Sequence, residues 1–227
     1  LRDVLFNGTF YHLGYFPALV LGACLVYGLL RILGPRWAWL PALLHDAAGR
    51  LGDSYFGLTA ALPPLRAGYE ALFLLFDYTR NGLFFGVMFI AMGALFAQRT
   101  LYLKNWQVLL GFLLSAGLLF AECFALKDNG FMHDLTSMYA MLLPCMFFLF
   151  LGLLRIHLPQ SKVYKTLRVL SLLIYVMHIM FVNLLLRVWP LMNSLAVYGL
   201  VMLLTLIMSC IIIICSRKVK FLKHLYA

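Results

Sequence analysis

Residues 76–97 read FDYTRNGLFFGVMFIAMGALFA, which sets Asp77, Arg80 and Asn81 at the mouth of an unbroken apolar run. Such a run belongs in hydrocarbon, and charged groups at its edge are costly unless they pair or bind something. Similar runs recur along the whole chain. Hydrophobic residues make up 64% of the 227 and charged residues 11%, against roughly 25% charged in soluble domains. The fold class that follows is all-α, a polytopic transmembrane helix bundle.

Seven apolar segments are expected, at about 11–33, 37–57, 79–98, 106–126, 135–155, 167–188 and 194–215. The second is the least apolar, because WAWLPALLHDAAGRLGDSYFGL (37–58) contains His45, Asp46, Arg50 and Asp53. It reads as a spanning helix or an interfacial one, and the alternation of loops favours spanning. The connector 58–78 is expected to break and restart around Pro63-Pro64. The chain opens at Leu1 without an initiator Met or a signal-peptide pattern, so it is expected to be a fragment preceded by further helices.

Charge gives the orientation. With the tail SRKVKFLKH in the cytoplasm and seven alternating spans, the inner side receives twelve of the 18 basic residues. They are Arg31, Arg36, Arg99, Lys104, Arg155, Lys162, Lys165, Arg168, Arg217, Lys218, Lys220 and Lys223. This is the bias of a bacterial inner-membrane protein with a cytoplasmic C-terminus, and it accounts for the net charge of +10 without nucleic acid. The basic stretch 216–227 is then a cytoplasmic tail following one membrane domain, 1–227. None of the eight acids falls in an inner loop, so the polar chemistry gathers on the extracytoplasmic face.

Four stretches approach that outer level: NGTFYHLGYFPA (7–18), GDSYFGL (52–58), FDYTRNGLFF (76–85) and AECFALKDNGFMHDLTSMY (121–139). They supply the ligand-binding candidates Asp53, Tyr55, Asp77, Arg80, Asn81, Glu122, His133, Asp134 and Tyr139. His12 is the candidate catalytic residue, as a general base. Arginine forks onto a carboxylate, while carboxylates pair an ammonium or accept a hydroxyl proton. The set suits a small polar acceptor or an amino acid. The competing reading is that these groups pair with one another and hold helix ends. His178, in mid-span, serves packing or lines a cavity. No metal-ligand spacing, phosphate loop or nucleophile elbow is present, and no bound cofactor is expected. The five Cys lie in or beside apolar runs and read as packing residues.

The order FYHLGYFPAL, GDSYFGL, FDYTRNGLFFG, HDLTSMYAMLLPCMFFLF and SLLIYVMHIMFV resembles the acyltransferase-3 family of integral membrane proteins. It looks most like the branch forming the membrane half of VanT-type serine racemases. The resemblance implies about ten spanning helices, of which the first three would precede Leu1. It also implies transfer of an acyl group from acyl-CoA, as co-substrate, to an extracytoplasmic hydroxyl acceptor such as a cell-wall sugar. In the racemase branch it implies instead serine uptake or binding, with a fused or associated cytoplasmic racemase domain. A third reading is an inactive fragment. The family's arginine and histidine motif lies in the earliest helices, so acyl transfer would depend on helices outside this chain. Two departures stand out: Gly14 follows FYHL where Trp is usual, and HDAAGR replaces an apolar stretch before GDSY.

Overall fold

The computed structural model describes residues 14–99, 101–128, 137–161, 163–191 and 193–216. They form helices α1 (Tyr15–Leu33), α2 (Trp39–Leu51), α3 (Pro63–Phe73), α4 (Val87–Gln98), α5 (Asn105–Asp128), α6 (Leu142–Leu153), α7 (Val163–Val188) and α8 (Ser194–Cys215). A 3₁₀ turn at Phe56–Ala61 leads towards α3, and a π-helical turn at Gly82–Gly86 runs directly into α4. Among the described residues there is no strand. Four helices, α1, α5, α7 and α8, are long and apolar enough to cross a membrane. Their outward faces carry exposed large apolar side chains, such as Leu113, Leu118 and Phe120 on α5 and Ile207, Ile211 and Ile214 on α8. Water would penalise such faces and lipid does not. The protein is a helical membrane bundle.

Three expected segments are shorter than the apolar pattern suggested, among them 79–98, which is helical only over Gly82–Gln98. Within 37–57, helix α2 has 13 residues, about 20 Å of rise against a hydrocarbon thickness of about 30 Å. It stops because Gly52 turns the chain, its N–H donating to Gly49 O at 3.0 Å. Within 135–155, α6 has 12 residues, and residues 137–139 ahead of it are not helical. The restart at the proline pair occurs as expected: Pro63 opens α3 at its first turn, where a missing N–H costs nothing. Helix α3 buries Tyr69 and leaves most of its surface exposed.

The chain divides into two compact units, Leu1–His157 and Leu158–Ala227. In the first, Val26 of α1, Ala42 of α2, and Val87, Met88 and Ala91 of α4 form the core. The carbonyls at the end of α2 have lost their helical partners and find others. Tyr69 Oη donates to Ala48 O at 2.6 Å, and Thr79 Oγ1 to Gly49 O at 2.8 Å. Burial raises the Tyr69 phenol above its ordinary pKa. The second unit is the α7–α8 hairpin, closed by Phe181 and Leu185 against Val197 and Val201.

Close backbone approach decides how α1 meets the π turn. A Cβ at Gly82 would land on the Ala18 carbonyl, and one at Gly86 would sit 3.1 Å from that oxygen. Lipid gives helices no hydrophobic reason to associate, so this shape fit is what joins them. Gly93, on the same apolar run, has no heavy atom within 4 Å of such a Cβ. The contrast gives a paired expectation for thermal unfolding in detergent. Gly82→Ala should destabilise by about 1–3 kcal/mol through overpacking, whereas Gly93→Ala should leave the melting temperature unchanged or slightly raised.

A candidate functional site at the acidic end of the first unit

The turn after α2 delivers Asp53, Ser54 and Tyr55 to the helix ends where α5 finishes and α6 begins. It is held by Asp53 N and Tyr55 N, which both donate to Arg50 O, at 3.1 and 2.9 Å. Asp53 is buried at 5% exposure. Its Oδ1 accepts from Ser137 N at 2.9 Å, from Met138 N at 3.1 Å and from Ser54 Oγ at 2.9 Å. Its Oδ2 faces Arg80 Nε at 3.4 Å. The Arg80 side chain, 12% exposed, also reaches Ser137 Oγ at 3.4 Å and lies over the Tyr78 ring.

A second carboxylate does similar work from α5. Glu122 accepts from Tyr55 Oη and Ala140 N through Oε1, and from Met141 N at 2.8 Å through Oε2. Met141 is the N-cap of α6, so a residue of one helix satisfies the orphan N–H groups at the start of the next. Negative charge at a helix N-terminus also opposes the positive end of the helix dipole. Cys123 Sγ meets Tyr139 Oη at 3.4 Å beside this contact. Asn81 is 1% exposed and caps the π turn, its Oδ1 accepting from Leu83 N and Phe84 N while its Nδ2 donates to Tyr78 O.

Of the residues singled out from sequence, Asp53, Tyr55, Arg80, Asn81, Glu122 and Tyr139 therefore gather in one region, on linked partners. Asp77 is exposed at its edge. His12, His133 and Asp134 lie outside the described residues. His178 belongs to the second unit, where its Nδ1 pairs with Tyr175 O of its own helix. Among the described residues no group of three His, Cys, Asp or Glu could hold a metal ion.

Arg50 was not among the candidates and belongs with them. It forms an ion pair with Asp46, four residues earlier on α2, and its charge reaches the Tyr55 phenol. Its Nε is buried with no hydrogen-bond partner among the described residues. The i, i+4 spacing in HDAAGR was the available signal.

No family model and no solved structure matches the chain. Curated proteins do. It is 35% identical over 231 residues to an amino-acid racemase of Enterococcus faecalis, covering 99% of this chain and 32% of that protein. A second amino-acid racemase of the same organism is 35% identical over 152 residues, 66% of this chain and 21% of the relative. A serine/alanine racemase of Enterococcus gallinarum is 38% identical over 177 residues, 77% of this chain and 24% of the relative. The chain thus spans about a third or less of the curated relatives it matches. These relatives agree with the serine-racemase side of the resemblance, and acyl transfer finds no counterpart among them.

The capping role of Glu122 is open to direct measurement. Glu122→Gln should cost about 2 kcal/mol, since hydrogen bonds to an ionised acceptor contribute roughly 1.5–3. Amide hydrogen exchange at Ala140 and Met141 should accelerate with it. Glu70→Gln, which alters only an exposed pair with Arg66, should change neither quantity.

Proposed function

We propose that this chain is the membrane part of a racemase-type protein and that its acidic-end cluster receives a small zwitterionic amino acid, serine or alanine. The names of the relatives supply the substrate class. In this reading a racemase domain, fused or associated, accounts for the part of those relatives that the chain does not span. The cluster takes up the amino acid and the bundle passes it inward. Arg80 forks onto the carboxylate, Asp77 or Glu122 faces the ammonium, and the Tyr55 and Tyr139 hydroxyls meet the side chain.

One observation carries the assignment of Arg80. The neighbouring carboxylate, Asp53, already has three donors in Ser137 N, Met138 N and Ser54 Oγ. Arg80 can therefore turn towards a ligand carboxylate without leaving Asp53 stranded. The same supply of donors means that replacing Arg80 should spare the fold.

The test is thermal shift on the detergent-solubilised chain with L-serine, L-alanine and acetyl-CoA in parallel. A ligand that binds only the folded state raises the melting temperature. Serine or alanine should raise it in the parent chain, and Arg80→Ala should remove that rise while the unliganded protein still melts cooperatively. A rise of equal size in Arg80→Ala discards the role of Arg80. A rise with acetyl-CoA alone overturns the amino-acid reading in favour of acyl transfer.

A further inference from the structure

We infer that the opposite end of the first unit holds a binding site for an anionic phospholipid, with one acyl chain between α5 and α6 and the phosphate at Arg155. The cavity there is a groove of about 390 Å³, within the roughly 300–1,000 Å³ of small-molecule sites. Its depth is apolar, formed by Leu109 and Phe112 of α5 and by Phe148 and Leu149 of α6. Asn105 and Arg155 close one end. Along α5 the groove stops at Phe112, ten residues before Glu122, which is about 15 Å of helix. It is therefore separate from the amino-acid cluster and independent of that proposal.

Charge complementarity names the occupant. Arg155 Nη1 donates to Asn105 Oδ1 at 2.8 Å, so the guanidinium is positioned by a neutral amide and keeps its charge for an anion. Lys104 immediately precedes Asn105. Arg99 follows α4, whose last turn brings Phe96 against Phe147 and Phe150 of α6. No Asp or Glu occurs on α5 before Glu122, on α6, or between Arg99 and Lys104. An apolar groove ending in the Arg155 guanidinium, with Lys104 and Arg99 near in sequence and no acid among these segments, matches a diacyl lipid with a negative headgroup. Basic pockets between spanning helices bind such headgroups. A neutral lipid would fill the groove and leave Arg155 without an anionic partner.

Small residues keep the groove open. A Cβ at Gly152 would be in ordinary contact with Val108, 3.6 Å away, so the bulk of a larger side chain there enters the space the acyl chain needs. The experiment adds phosphatidylglycerol or phosphatidylcholine, with identical acyl chains, to the delipidated chain in neutral detergent. Melting temperature and mass are read, with inorganic phosphate and palmitoyl-CoA as further additions. Phosphatidylglycerol should bind more tightly than phosphatidylcholine. Arg155→Gln should reduce that preference on the order of fivefold, the contribution of one basic residue at a lipid surface. Arg155→Lys should retain most of it, Gly152→Leu should weaken both lipids, and phosphate alone should give no shift. Equal stabilisation by the two lipids, a preference unchanged in Arg155→Gln, or binding of both lipids unchanged in Gly152→Leu overturns the site. A shift with palmitoyl-CoA but not phosphatidylglycerol assigns the groove to an acyl donor instead. A doubled mass that Gly152→Leu abolishes assigns it to a second copy.

Discussion

The first unit depends on how the backbone N–H groups at the start of α6 are satisfied. Helix α6 has 12 residues, and residues 137–139 before it are not helical. The amides at such a helix start have no intrahelical acceptor and need partners from elsewhere in the protein. Asp53 takes Ser137 and Met138, and Glu122 takes Ala140 and Met141. Two carboxylates from two different elements thus hold one helix entrance. Other polar residues of the region are arranged around them: Tyr55 on Glu122, Arg80 and Ser54 on Asp53.

A pair of carboxylates used in this way serves structure, and in the proposed reading it also steadies the ligand-binding arginine. A charged group fully engaged with backbone amides is rigid, and rigidity is what a binding arginine needs from its neighbours. Arg80 approaches Asp53 through Nε at 3.4 Å, a looser contact than those the amides make. The firm bonds belong to the scaffold, and the loose one belongs to the residue proposed to meet a ligand. Arg50, with its buried Nε, adds a second guanidinium to the same region.

Much of the fold was legible in the residues. Apolar length marked seven segments, of which α1, α5, α7 and α8 are long enough to span, and the proline pair marked the restart at α3. Helix ends were harder to read. Segment 37–57 was read as spanning from the alternation of loops and not from its apolarity, and within 135–155 hydropathy does not report where a backbone starts or stops coiling. The candidate site was legible as a set of residues and not as a set of bonds. Nothing in GDSY or in AECF indicates that its acid caps a helix, because the donors are main-chain amides far along the chain. Arg50 was read only as one of the polar residues that make 37–58 less apolar, and only packing reveals its buried Nε.

The distance in sequence between Asp53 and its amide partners has a consequence for biosynthesis. Asp53 and Ser137 are 84 residues apart. At roughly 5–20 residues per second, synthesis delivers the second about 4–17 seconds after the first. During that interval the carboxylate has no α6 entrance to bind. Arg80 emerges only 27 residues after Asp53 and is the earliest charged partner that the finished structure gives it. Among the contacts that Asp53 makes to other elements, the looser one is thus the one whose partner is synthesised first, and the firm ones wait for the chain beyond residue 136.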